Sequence, residues 1–174
     1  MFKFRSWVQA GVVALCCWGG AASALQVQFT AVDVVDTTPG SDAWRYDYVA
    51  SGAFAEFQGF TLIYDRAAYA GLSLTAPPAA SAFDPTLAQP DMGLGVDGLL
   101  SLTAQRSIGA GESFAFSVGF VHLGVGKPGS QPFELFADDF SITGGGITSA
   151  VPEPATTALM LVGLMALGLR ARRH

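Results

Sequence analysis

The sequence predicts an all-β protein, a single antiparallel β-sandwich of the jelly-roll or immunoglobulin-like kind, held between two apolar terminal segments. Three observations lead there. Between residues 25 and 150 apolar side chains recur with a period of two rather than 3.6, as half-buried strands require. The alternating runs are short and divided by turn residues; the 174-residue chain has 21 Gly and 9 Pro but no Asn, so tight turns fall to Gly and Asp. Finally, 51% of residues are apolar, and the excess is concentrated in residues 7–24 and 155–169, leaving a middle of ordinary polarity.

The first element is a secretory signal over residues 1–24. Lys3 and Arg5 give a basic start, "WVQAGVVALCCW" an apolar stretch, and Ala22-Ser23-Ala24 an A-x-A site at which signal peptidase cuts before Leu25. Cys16 follows Leu15 and Cys17 follows another Cys, so neither has the small preceding residue that a lipoprotein signal needs. These are the only two cysteines. The mature chain therefore has no disulfide, thiolate nucleophile or cysteine metal site, and its stability rests on packing.

Residues 25–142 are the working domain. "LQVQFTAVDV" sets Leu25, Val27 and Phe29 against Gln26, Gln28 and Thr30, and "WRYDYV" sets Trp44, Tyr46 and Tyr48 against Arg45 and Asp47. "FQGFTLIYD", "GLLSLTA", "SFAFSVGFVHL" and "FELFADDFSI" follow, the clearest face being Phe114, Phe116, Val118 and Phe120. This makes roughly seven strands. "TTPGSD", "TAPPAASAFDPTLAQPDMG" and "GVGKPGSQP" read as loops, residues 67–72 as one helical turn, and the Gly-rich residues 143–150 as a flexible linker.

Residues 151–174 form a distinct tail. Pro152 and Pro154 fix their own backbone and extend their neighbours, so Val151-Pro152-Glu153-Pro154 is a stiff step presenting one carboxylate. Residues 155–169 carry no charge; as a helix they span roughly 22 Å, just short of a typical hydrocarbon core, and Arg170 can snorkel to cover the difference. Basic residues favour the cytoplasmic side, so Lys3 and Arg5 at one end and Arg170, Arg172 and Arg173 at the other place both ends inside and the middle outside the inner membrane. This ordered series of "VPEP", apolar helix and "RARR" resembles the C-terminal sorting signal of PEP-CTERM proteins of Gram-negative bacteria. The resemblance implies an exosortase, an integral-membrane cysteine transpeptidase, as the partner that cuts near the motif and releases or re-anchors the protein. It makes Pro152, Glu153 and Pro154 the recognition motif, residues 155–169 the membrane segment, and Arg170, Arg172 and Arg173 the stop signal. "WRYDY" and "PGSQPFE" also resemble segments of the extracellular portion of such proteins, which supports the sandwich and carries no activity.

Within residues 25–150 four basic residues face thirteen acidic ones, a net charge of −9 that repels nucleic acid and anionic lipid. "GLGVDG" at residues 93–98 matches G-x-G-x-x-G, yet a Pro-rich loop precedes it and a strand follows, so turn glycines explain it better than a nucleotide site. His122, the only histidine left once the tail is removed, has no G-x-S-x-G partner for a triad. Asp138 and Asp139 could pair for glycoside hydrolysis, but neighbours on a strand face opposite ways. Calcium, which takes six to eight oxygens, is the more plausible cofactor, with Asp33, Asp36 and Asp42 around one turn and Asp138 and Asp139 near the domain's end; no D-x-D-x-D-G loop is present. Trp44 and Tyr46 form a sugar-stacking platform if their face is open, and a core face if it is not.

These readings converge on an exported envelope or extracellular protein, anchored in the inner membrane as a precursor, with a structural or adhesive role in the exopolysaccharide or biofilm matrix. The matrix role follows from the resemblance alone. On this reading the chain is an enzyme's substrate and not an enzyme, with no required cofactor. A carbohydrate- or calcium-binding module is the alternative, and a secreted hydrolase the third.

Overall fold

The computed structural model describes residues 25–36 and 38–151. The signal segment with Ala22 and Ala24, the motif residues Pro152, Glu153 and Pro154, the apolar run and Arg170, Arg172 and Arg173 lie outside the described residues. Ten strands follow in order: β1 (Gln26–Asp33), β2 (Ala43–Ser51), β3 (Gly59–Tyr64), β4 (Tyr69–Ala76), β5 (Phe83–Ala88), β6 (Gly98–Ala104), β7 (Ser113–His122), β8 (Pro132–Phe136), β9 (Ile142–Ile147) and β10 (Ser149–Ala150). They form two five-stranded sheets, β10-β1-β2-β7-β4 and β5-β6-β3-β8-β9. Neighbours are antiparallel apart from the β1–β10 pair.

The period of two in the sequence becomes the inner face of each sheet. Val27 and Phe29, Tyr46 and Tyr48, and Phe116, Val118 and Phe120 are buried from one side; Phe60, Leu62 and Tyr64, with Leu100, Leu102 and Phe133, are buried from the other, and all join one cluster. Aromatic rings bridge the layers: Phe60 lies 6.3 Å from Phe116, and Tyr64 meets Tyr69 edge-on at 5.5 Å. Such pairs add about 0.5–1.5 kcal/mol each beyond the area they bury. A core of this kind replaces the missing disulfides.

Four expectations are corrected. Residues 143–150 are not a flexible linker but β9 and β10. Two glycines permit this, because β9 lies close against β8: a Cβ on Gly145 would stand 2.7 Å from the Phe133 carbonyl oxygen, and one on Gly146 2.7 Å from its ring. Residues 67–72 are not a helical turn; a tight turn with Ala68 and Tyr69 amides donating to the Asp65 carbonyl leads straight into β4. The long Pro-rich loop contains β5, a sheet edge where Pro85 needs no outward partner. "FELFADDFSI" is not one strand, for the chain reverses at residues 137–141 between β8 and β9.

The registers sort the loops between two ends. Gln26 pairs with Ser51, Ser51 with Ser113, Gly59 with Thr103 and Phe136, and Phe83 with Ala104. The β2–β3, β4–β5, β6–β7 and β8–β9 loops therefore share the end where β1 begins. The remaining connections share the opposite end, toward which β1 runs.

Candidate functional site

The chain leaves the sandwich through a short, firmly held path. Thr148 is buried between β9 and β10; its amide donates to the Gln131 carbonyl at 2.9 Å, and its hydroxyl accepts the Gln131 amide at 2.8 Å. β10 then pairs with β1, Ser149 beside Gln28 and Ala150 beside Phe29, and the Val151 amide donates to the Phe29 carbonyl at 2.9 Å. Pro152 is the next residue. A proline has no amide to continue the ladder, so the sequence itself ends the strand there.

Gln131 ties this path to the core. Its side-chain oxygen accepts from the Tyr48 hydroxyl at 2.8 Å, and its side-chain nitrogen donates to the Tyr69 hydroxyl at 3.0 Å and to the Gly129 carbonyl. The Tyr46 hydroxyl also donates to the Gly129 carbonyl, and the Tyr46–Tyr69 and Tyr48–Tyr64 hydroxyl pairs close the network at 3.0 and 3.2 Å. Burial, the largest cause at each, pushes the Tyr46, Tyr48 and Tyr64 hydroxyls well above the ordinary tyrosine range, so all three stay neutral. Beside the network opens a cleft of about 460 Å³ lined by Ile63, Asp65, Tyr69, Asp97, Ser130 and Gln131. Its carboxylates are already engaged: Asp97 takes the Arg66 guanidinium at 2.9 Å, and Asp65 the Ala67 amide at 2.8 Å.

Of the two readings of Trp44 and Tyr46, the structure gives the core face at Tyr46 and no open face shared by the pair. Tyr46 is wholly buried beside Phe120, so it cannot meet a ligand. Trp44 is half-buried, donates its indole N–H to Asp42 at 2.8 Å, and lines a shallow groove of about 340 Å³ with Arg45, Ser73, Thr75 and Gly119.

The acids named as calcium candidates, for which a solvated acidic surface is the default reading, are scattered or occupied. Asp36 accepts the Ala43 amide at 2.7 Å, Asp42 holds Trp44, Asp33 ends β1 and pairs in register with Trp44, and Asp138 and Asp139 sit in the β8–β9 turn rather than on a strand. Ser141 hydrogen bonds hold the Asp139 carboxyl below the usual range. Among the described residues no three acidic or histidine side chains are placed to hold a metal ion. His122 is 8% exposed, and its Nδ1 lies 3.7 Å from Asp42 Oδ2 without a hydrogen-bond partner. "GLGVDG" is a turn as expected: Asp91 accepts the Gly93 and Leu94 amides at 2.7 and 3.0 Å, and β6 opens at Gly98.

One pair escaped the sequence reading. Among the described residues the only non-glycine residues at positive φ are Phe57 (68°) and Phe140 (61°), in the β2–β3 and β8–β9 loops at the same end of the sandwich. Such backbones cost on the order of 1–3 kcal/mol each, yet the rings are 52% and 70% exposed. Phe140 stacks on Phe136 at 5.7 Å, and Phe136 in turn rests over Gly59, where a Cβ would come within 2.5 Å of its ring. The hydrophobic pattern puts them in the candidate strands "FQGFTLIYD" and "FELFADDFSI", whereas each lies in a turn directly after an acidic residue.

Known proteins add one fact about the other end of the chain. No curated protein matches the sequence significantly. Residues 150–173 match the family described as the PEP-CTERM protein-sorting motif, beginning at the second residue of β10 and covering the motif, the apolar run and the basic tip. The chain thus carries at its C-terminus a PEP-CTERM protein-sorting motif, the mark of an exported protein sorted by an exosortase.

Proposed function

We propose that this chain is a structural or adhesive component of an exopolysaccharide or biofilm matrix, made as an inner-membrane-anchored precursor, cut by signal peptidase after Ala24 and by an exosortase near Glu153. It acts as that enzyme's substrate and catalyses nothing itself. The observation that carries the reading is the join between fold and signal: Val151 is hydrogen-bonded to Phe29, and the motif begins at the next residue.

The test is the intact mass of the protein recovered from its host in inner-membrane, outer-membrane and medium fractions, beside a Glu153→Ala strain. Wild type is expected to lack both terminal segments and to leave the inner membrane; the variant keeps residues 152–174 and stays there. An intact C-terminus in wild type and variant alike would overturn the proposal and leave a plain tail anchor.

A further inference from the structure

The strand that hands the chain to the sorting motif is lightly secured. β10 has two residues, lies at the edge of its sheet and pairs in parallel with β1, the weaker of the two ladder geometries. Ser149 and Ala150 are both exposed, so β10 buries no apolar side chain. Its deep anchor is Thr148, and that anchor is polar: among the described residues Gln131 and Thr148 are the only non-aromatic polar side chains buried from solvent. The Gln131 amide donates to the Thr148 hydroxyl at 2.8 Å, and the Thr148 amide to the Gln131 carbonyl at 2.9 Å. β9, by contrast, is packed at Gly145 and Gly146 against Phe133. A clasp of hydrogen bonds that water can replace opens at less cost than buried apolar surface.

What this clasp controls is reach. With β10 paired, residues 152–154 are all the chain between Val151 and the apolar run at Ala155, about 10 Å when extended. With the clasp open, residues 148–154 are available, about 23 Å. An extended segment is gripped through its main-chain groups, and the Val151 amide already gives its own to the Phe29 carbonyl at 2.9 Å. Bonds held against an ordered strand are cut through its opened state. From β10 and its Thr148–Gln131 clasp we infer that the pairing of β10 with β1 is an autoinhibitory latch on processing: the exosortase cuts the fraction of precursor in which β10 has left β1. The observed rate of cutting is then the intrinsic rate multiplied by that open fraction. The inference rests on the sorting reading for the enzyme and goes beyond it in placing control of the cut inside the folded domain.

The experiment staples the latch in the full chain, expressed in its host. Gln28 and Ser149 are register partners with exposed side chains, on strands about 4.8 Å apart, which is within disulfide reach. The two native cysteines, Cys16 and Cys17, both precede residue 25. An oxidised Gln28→Cys/Ser149→Cys precursor should keep its C-terminal segment in a pulse–chase read by intact mass. Dithiothreitol should restore cutting to the rate of wild type under the same reductant. Thr148→Val keeps the side chain's shape and removes the hydroxyl, so amide exchange at Val151 and the rate of cutting should rise together, about two- to tenfold. This second variant decides the matter whether or not the engineered bond forms. Equal cutting of the stapled chain with and without reductant would sink the latch, as would faster Val151 exchange in Thr148→Val with cutting unchanged or slower. Cutting that Glu153→Ala abolishes and the staple leaves untouched removes the latch alone. A wild-type chain that keeps its C-terminus removes the sorting reading and the latch with it.

Discussion

Tyr46, Tyr48 and Tyr64 make the domain sensitive to alkali. Each phenol is buried in hydrogen bonds that its neutral form satisfies, and burial raises it above its ordinary value near 10.0. A group whose folded value is raised contributes stability that is complete below its unfolded value and lost as pH climbs past it. Raising pH above 10 should therefore produce tyrosinate absorbance from these three of the four tyrosines only together with loss of the far-UV β-sheet signal. Absorbance from these three appearing while the sheet signal is intact would show that the phenols are not sealed. At this scale the sequence was half legible. The alternation of Tyr46 and Tyr48 with Arg45 and Asp47 marked one face, but a period cannot say whether that face meets water or a second sheet. Gln131 was invisible, because a lone polar residue in a Gly-Pro loop carries no sign that four tyrosines converge around it. Phe57 and Phe140 were invisible for the converse reason, since positive φ arises from how a turn closes.

Among the elements, β9 departs furthest from its sequence appearance. "TGGGI" has the composition of a flexible joint, and local composition is all that such a reading uses. What decides the matter is distance to a neighbour: at Gly145 and Gly146 β9 crosses Phe133 so closely that a Cβ has no room, and these two glycines are the condition for pairing. Gly146→Val should cost about 1–3 kcal/mol, by overpacking against Phe133, read as a lower urea midpoint with an unchanged slope. Faster amide exchange should be confined first to β9 and Thr148. A variant as stable as wild type would mean that β9 floats free of β8. β5 was hidden by the same limitation, its Pro85 and the prolines around it reading as loop although an edge strand tolerates them. β1, β2, β6 and β7 were all readable, being strands that alternate cleanly with one face in the core.

Over the whole molecule, the alternation and the scarcity of longer periods sufficed for an all-β fold, and the C-terminal motif sufficed for an exported protein sorted by an exosortase. The arrangement of the sheets was not readable, since it depends on pairings between distant strands such as β2 with β7 and β3 with β8. The direct join of β10 to the motif was misread with the linker, and it sets a standoff. If residues 155–169 enter the bilayer, three residues separate Val151 from lipid, about 10 Å of extended chain. That is close to the screening length of roughly 10 Å in 0.1 M salt. The end of the sandwich toward which β1 and β10 run carries Asp33, Asp36, Asp42, Asp65, Asp91 and Asp97 against Arg66 and Lys127. Held so near an anionic surface, these charges are incompletely screened, and severing the tail relieves the strain between them and the lipid. In anionic vesicles bearing the precursor, the cut domain should leave faster as salt is lowered; release independent of salt would remove this repulsion from the account. Were residues 143–150 a flexible spacer, the domain could drift beyond reach of that force; paired as β9 and β10 they keep its charge within reach, and the salt dependence of release is where that pairing should be felt.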